Sequence, residues 1–268
     1  MSVIDTHAHL NDEVYTKDLF EVLSRARSAG VSRIVLASAN LRDSVEEMAI
    51  AAKWSDSDLD IRCTVGVHPH DAETYSDRSH VTLREWIRKR GENKIAALGE
   101  IGLDYHYDHS PREIQREVFR KQLDLAYEED IPFVLHEREA TSDLLLILEE
   151  YKRLGRLLET PGVCHCFSGS EETAGKLLDM GFYLGFDGPL TFKNSRRAPD
   201  VVKMTPLDRL VAETDAPYLT PAPFRGKRNE PSYVLYVLEK MAEIKGISPD
   251  EAANITMENA CRLFRFSA

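Results

Sequence analysis

Four histidines and two carboxylates offer metal-binding chemistry: His7, His9, Glu100, His136, His165 and Asp215. Imidazole and carboxylate are common donors to divalent first-row ions. His7 and His9 lie two residues apart, so on an extended segment both face the same side. Six donors are too many for one tetrahedral ion. They suit two ions with one carboxylate shared between them. Singly, each residue has a plainer role. A strand-end histidine usually makes a structural hydrogen bond, Glu100 could cap a helix, and Asp215 in Thr214-Asp215-Ala216-Pro217 could form a turn. The set gains its force from where a regular fold would put it.

Short apolar runs alternate with helical patterns. Strands are predicted over 3–4, 33–37, 61–67, 95–98, 133–135, 162–166, 182–186 and 210–213. Helices are predicted over 19–29, 44–53, 81–89, 111–129, 140–153 and 171–180. Two or three more fill 231–268, one opening at Ser248-Pro249. Strands alternating with helices pair in parallel through right-handed crossovers. At 268 residues, closure into an α/β (β/α)8 TIM-type barrel is the economical arrangement, as one domain over 1–268 with extra C-terminal helices. An open doubly wound sheet is the alternative, but no glycine-rich phosphate loop follows the first strand. Such barrels carry their chemistry at the C-terminal strand ends. His7 and His9 would end strand one, Glu100 strand four, His136 strand five and His165 strand six, with Asp215 after strand eight. All would share one rim.

The net charge is −11. A bulk-acidic protein is a poor general nucleic-acid binder, so an anionic substrate needs local cations. Two basic clusters stand out: Lys193 with Arg196 and Arg197, and Arg225 with Lys227 and Arg228. Both follow late strands and should rise on the same rim, which makes Lys193, Arg225 and Arg228 candidate substrate contacts. Arg138, two residues after His136, either clamps phosphate or pairs with a neighbouring acid. In His68-Pro69-His70, His68 reads as a substrate-side residue and His70 as structural; His106 and His109 read as solvated loop residues. The four cysteines form no CxxC pair. Strand alternation would put Cys164 and Cys166 on the face opposite His165, so the three cannot share an ion, and Cys63 and Cys261 read as core. Asp5, His7 and His9 occupy the place where a signal peptide needs an apolar run, and no stretch approaches the roughly 20 apolar residues of a membrane span. A cytoplasmic location is expected.

Six segments occur in order: Asp5-Thr6-His7-Ala8-His9, Gly66-Val67-His68-Pro69-His70, Gly99-Glu100-Ile101-Gly102-Leu103-Asp104-Tyr105, His165-Cys166-Phe167-Ser168-Gly169-Ser170, Glu213-Thr214-Asp215-Ala216-Pro217-Tyr218-Leu219 and Arg225-Gly226-Lys227-Arg228-Asn229-Glu230-Pro231. Together they resemble the TatD family of metal-dependent deoxyribonucleases, among the amidohydrolase-like barrels, over nearly the whole chain. The resemblance implies one divalent cation held by His7, His9, Glu100 and Asp215, and a second held by Glu100, His136 and His165, with Glu100 bridging. Zinc, manganese or magnesium would serve. Many barrels of the wider group bridge with a carboxylated lysine on strand four, but Lys94 starts that strand at the wrong end. The resemblance also implies DNA as substrate, single-stranded or trimmed at 3′ ends, with no membrane or obligatory protein partner. Glu137 and Glu139 depart from the family pattern, which more often has a small residue after the strand-five histidine. Glu137 should point away from His136.

In that chemistry the ions lower the pKa of the attacking water. Asp215 orients it and accepts its proton, so Asp215 and Glu100 are the expected catalytic carboxylates. Two alternatives remain. An amidase, lactonase or aminoacyl-ester deacylase would use the same ions to polarise a carbonyl. A catalytically silent metal-binding module would have no use for Asp215.

Overall fold

The computed structural model describes residues 2–266. Its strands are β1 (Val3–Ala8), β2 (Val31–Leu36), β3 (Asp60–Val65), β4 (Ile95–Asp104), β5 (Phe133–Arg138), β6 (Gly162–Cys164), β7 (Tyr183–Phe186) and β8 (Leu210–Ala212). Each pairs in parallel with the next, in the order β1 to β8. The sheet closes on itself where Ala8 bridges Ala216, with Asp215 N donating to His7 O at 2.9 Å and His9 N to Ala216 O at 2.7 Å. The seam of this (β/α)8 barrel is therefore made by the segments that carry His7, His9 and Asp215.

Helices α1 (Leu19–Ser28), α2 (Leu41–Trp54), α3 (Asp77–Arg88), α4 (Arg112–Glu128), α5 (Thr141–Arg153), α6 (Glu171–Asp179) and α7 (Arg197–Met204) follow β1 to β7 in turn, and α8 (Val234–Lys245) and α9 (Pro249–Phe264) follow β8. The Ser248 side chain caps α9 with Pro249 in its first turn, as sequence predicts. The stretch around Lys193, read as irregular, leads into the short α7. The tail reading reached 268, and its last two residues lie outside those described. No described helix is long and apolar enough to cross a membrane.

Parallel strands covered by helices are buried on both faces, so they read as continuous apolar runs. All six residues of β1 and all ten of β4 are buried. Ile4, Val35, Val134, Val163 and Val211, from five strands, pack with Ala260, Leu263 and Phe264 of α9. Ile4, Val134, Val163 and Val211 precede His7, His136, His165 and Asp215 by two to four residues, so α9 covers the end of the barrel away from those donors.

Several strand limits differ from the sequence reading: β5 runs on to Arg138 and contains His136, β6 stops at Cys164 just before His165, and the limits of β1 and β4 bear most on the site. β1 extends through Ala8, placing His7 inside it. β4 runs to Asp104 instead of stopping at Leu98. Gly99 and Gly102 weaken the strand signal, yet Gly102 is required: its φ is +147°, and a Cβ there would lie 1.9 Å from the His136 carbonyl oxygen of β5. Pairing of β4 with β5 breaks between Leu98 and Ile101, the interval that presents Glu100.

Candidate metal centre

The rim of the barrel brings the six donors together. Glu100 sits at the middle, 3% exposed. Its Oε2 lies 3.4 Å from His7 Nε2 and 3.6 Å from His9 Nε2. Asp215 Oδ1 lies 3.6 and 3.3 Å from the same two nitrogens, which are 3.3 Å apart. A tetrahedron with ligand bonds of about 2.0–2.1 Å has edges of about 3.3–3.4 Å, and these five separations lie near that range. Among the described residues, the side chains whose donor atoms converge in threes are His7 with His9 and Glu100, His7 with His165 and Asp215, and His68 with Glu100 and His136. Glu100 Oε1 turns the other way. It lies 2.9 Å from His165 Nε2 and 3.5 Å from His136 Nδ1, and those two nitrogens are 3.2 Å apart. One carboxylate thus faces two nitrogen pairs, one with each oxygen.

The donor set fits metal cations. Its nitrogens converge at contact distance with lone pairs facing one another, an arrangement that needs a positive charge between them. Protonation answers the same need. Burial opposes charge on His9, but hydrogen bonding to Asp215 and the charge of Glu100 outweigh it and push the pKa up to about 10. Burial likewise opposes charge on His136, and Asp104 with Glu100 pushes it up to about 9. His7 is taken down to about 4 by burial and by the neighbouring His165. Burial would raise Glu100, yet His165 and His7 hold it well below the usual carboxylate range.

A supporting layer fixes these donor side chains. Asp104, fully buried, accepts from His136 Nε2 at 3.0 Å and from His70 Nε2 at 2.9 Å through one oxygen. Its other oxygen accepts from the backbone N–H of His106 and Tyr107 at 3.0 and 2.9 Å. Asp5, also buried, takes the Thr214 hydroxyl at 2.6 Å and the Thr214 N–H at 2.9 Å, tying β1 to the Asp215 segment. Glu213 accepts from Cys166 N at 2.5 Å and faces His165 Nδ1 at 3.9 Å. Buried Glu47 of α2 accepts from Ser38 Oγ at 2.7 Å. Sequence reasoning missed all four. Period two was the available signal: Asp5, His7 and His9 alternate on one face, as do Glu213 with Asp215 and Glu100 with Asp104.

The donors open into a cleft of about 1080 Å³, lined among others by His68, His70, Asp104, Tyr107, His109 and Arg138. His68 is 7% exposed, and its Nδ1 accepts from the His70 N–H at 3.1 Å. The rings of His68 and His136 lie edge to face at 4.3 Å. Arg138 makes no ion pair among the described residues; its guanidinium lies 4.9 Å from the Tyr107 ring centre. Glu137 turns away to cap α5, accepting from Ala140 N and Thr141 Oγ1 at 2.8 and 2.9 Å.

Other sequence-predicted residues stand elsewhere. Lys193, Arg225 and Arg228 are not among the residues lining the cleft. Arg225 lies over the Phe192 ring at 4.2 Å, and Arg228 is held by Asp18 at 2.6 and 2.8 Å. Arg196 and Arg197 line a smaller cavity of about 310 Å³ with Cys166 and Asp187. His106 and His109 are exposed loop residues, as the sequence reading has them; His106 pairs with Glu139 at 2.8 Å, and His109 lines the cleft. Cys261 is partly exposed and packs at the edge of the core cluster under α9, with Arg33 on its sulfur at 2.7 Å. No cysteine joins the metal-competent groups among the described residues. Cys166 has φ +45°, so it leaves the strand and simple alternation does not govern it. Burial pushes the Cys164 thiol up, which keeps it protonated and a poor ligand.

Known proteins resemble this chain over nearly its whole length. The profile of the family described as TatD related DNase matches residues 4–265. An uncharacterized metal-dependent hydrolase of Bacillus subtilis, YabD, is 45% identical over 267 residues, 99% of this chain and 100% of the relative. The 3′-5′ ssDNA/RNA exonuclease TatD of Cronobacter sakazakii is 35% identical over 274 residues, 98% of this chain and 97% of that one. Among solved structures, a TatD homolog from Escherichia coli K12 superposes with a TM-score of 0.89 at 30% identity, covering 99% of this chain and 98% of the other.

Proposed function

The chain belongs to the TatD-related DNase family of metal-dependent hydrolases, and from that premise we propose that it is a 3′-5′ exonuclease hydrolysing phosphodiester bonds of single-stranded DNA. The observation that carries the reading is Glu100 set between two donor clusters at the floor of a cleft whose wall holds an uncompensated Arg138. A relative bearing the name of such an exonuclease supports the substrate class.

His7, His9, Asp215 and Glu100 Oε2 would hold one divalent cation, and Glu100 Oε1, His136 and His165 a second. Bound there, the cations supply Lewis acidity towards a phosphoryl oxygen and a lowered pKa for water. Asp215 turns Oδ1 to the imidazoles, while its second oxygen makes no hydrogen bond among the described residues. That oxygen can take a proton from water in the cleft. His68 must receive the His70 N–H at Nδ1, so the neutral ring carries its proton on Nε2. That atom has no partner among the described residues and is free to donate to a substrate oxygen. Arg138 presents a fork of N–H groups suited to phosphate.

A second reading has one specific observation behind it. Asp12, Glu13, Asp43 and Glu46 also line the cleft, an acidic flank better suited to a neutral ester or lactone than to a polyanion. Metal analysis coupled to a substrate panel decides. The panel sets 3′-labelled single-stranded DNA and a nitrophenyl phosphodiester beside dipeptides, lactones and aminoacyl esters. Turnover of DNA and the phosphodiester is expected, abolished by chelation and restored by metal. Turnover confined to the carbonyl substrates would overturn the proposal.

A further inference from the structure

The cleft has two unlike walls. The acidic residues Asp12, Glu13, Asp43 and Glu46 stand after β1 and β2. Tyr107, His109 and Arg138 stand across the barrel, above β4 and β5. Tyr107 is 50% exposed. A half-exposed tyrosine gains little from burial and ordinarily stays mobile, yet this ring is held from several sides. His109 lies parallel to it, 1° between planes and 5.6 Å between centres. His70 sets its edge against both rings, at 5.4 and 4.8 Å. The Arg138 guanidinium lies 4.9 Å from the Tyr107 centre. The loop is also fixed at its backbone, because the Tyr107 and His106 N–H groups donate to Asp104, the carboxylate that orients His136. Asp108, the acid beside Tyr107, is held by Arg112 at 2.6 Å and leaves Arg138 uncompensated.

We infer that Tyr107, His109 and Arg138 form a stacking subsite for the nucleobase adjoining the scissile phosphate, registered to the metal centre through Asp104. The inference rests on the phosphodiesterase reading and adds the face on which the strand lies. Planar side chains accept any base on their π faces, and a guanidinium stacked among them adds charge for the backbone. The opposite wall repels further phosphates, so a strand crosses the rim on the Tyr107 side.

The test uses the metal-loaded protein in two arms. In the first, hydrolysis of a 3′-labelled DNA strand is compared with that of the same strand carrying an abasic residue next to the scissile bond. Tyr107→Ala should raise KM roughly tenfold or more on the base-bearing strand and far less on the abasic one, while Tyr107→Phe should behave as wild type. Equal losses on both strands, or none on either, would overturn the subsite. The second arm measures equilibrium binding of dAMP against deoxyribose 5-phosphate, and it decides whether or not DNA is turned over. Wild type should prefer dAMP by roughly tenfold, and Tyr107→Ala should erase the preference. A wild type without preference would defeat the subsite. A wild type that prefers dAMP but hydrolyses only carbonyl esters would uphold the subsite and defeat the nuclease reading.

Discussion

The two halves of the donor cluster are built differently. On one side, Asp215 Oδ1 and Glu100 Oε2 flank the His7 and His9 nitrogens across the barrel seam, a set of four donors that would make a cage around a cation, braced by the Asp5–Thr214 hydrogen bonds. On the other, Glu100 Oε1, His136 and His165 supply three atoms beside the unpartnered Nε2 of His68, braced by Asp104. Four protein ligands close a tetrahedral site, whereas three leave a position for water or substrate. The cage should therefore hold its cation more tightly, and the three-ligand side should exchange its cation and meet substrate. Glu100 belongs to both, so the halves share one failure point.

Removing that shared point should have the largest effect. Glu100→Ala takes a donor from each half and leaves four imidazoles, those of His7 and His165 buried, without their central carboxylate. Metal content should collapse, and kcat/KM should fall by about 10⁴ or more, several kcal/mol of transition-state stabilisation. Retention of two cations by elemental analysis would show that Glu100 is no bridge. Asp215→Asn is the next step down. An amide still coordinates through oxygen but cannot accept a proton, so kcat should drop by about 10²–10⁴ with metal content kept. Near-normal kcat at saturating metal would make Asp215 a ligand only.

Asp104→Asn tests whether the halves are separable. The amide can accept the loop N–H groups but not both imidazole N–H groups, so His136 loses its orientation. Loss of such a partner typically costs 10–100-fold in metal affinity. A metal titration by calorimetry should show the weaker step shifted by about that factor and the tighter step in place. Equal weakening of both steps would mean that the cage and the three-ligand side act as one unit.

The convergence of the six donors was legible in the sequence because strand ends in a barrel all point to one rim, so residue type and position sufficed. Their braces were not. Strand four appeared to stop at Leu98, since glycines at 99 and 102 interrupt its apolar run; Asp104 therefore fell in a presumed loop. Asp5 lies in the same motif as His7 and His9, but its partner Thr214 is 209 residues away, a contact that only barrel closure creates. Charge clusters were the least readable feature. Residues 225–228 look like one basic patch in sequence, yet Arg225 and Arg228 face different neighbours. Arg138, isolated in sequence, is the arginine left without an acid at the cleft.

That contrast between Arg138 and Arg228 yields the prediction with the smallest effect. Arg228 donates to both oxygens of Asp18 at 2.8 and 2.6 Å and to Val14 O at 2.6 Å, and lies 4.8 Å from the Tyr15 ring centre. These contacts fasten the loop after β8 to the segment before α1. Both ionic side chains are about one-third exposed, so solvent screens the pair and its loss should cost about 1 kcal/mol. Arg228 holds the Asp18 carboxyl below its ordinary value of 3.8. The pair's contribution is therefore complete above that value and fades as pH falls through the lowered one. Arg228→Ala should lower Tm at neutral pH by a few degrees, with the deficit narrowing in acid, and should leave the KM for DNA within about twofold. Arg138→Ala should do the reverse, with little change in Tm and a loss of DNA affinity whose salt dependence flattens by about 0.7 per phosphate contact removed. A marked, salt-dependent loss of DNA binding in Arg228→Ala would return the loop beyond β8 to the substrate path and show that the Asp18 pair opens when DNA arrives.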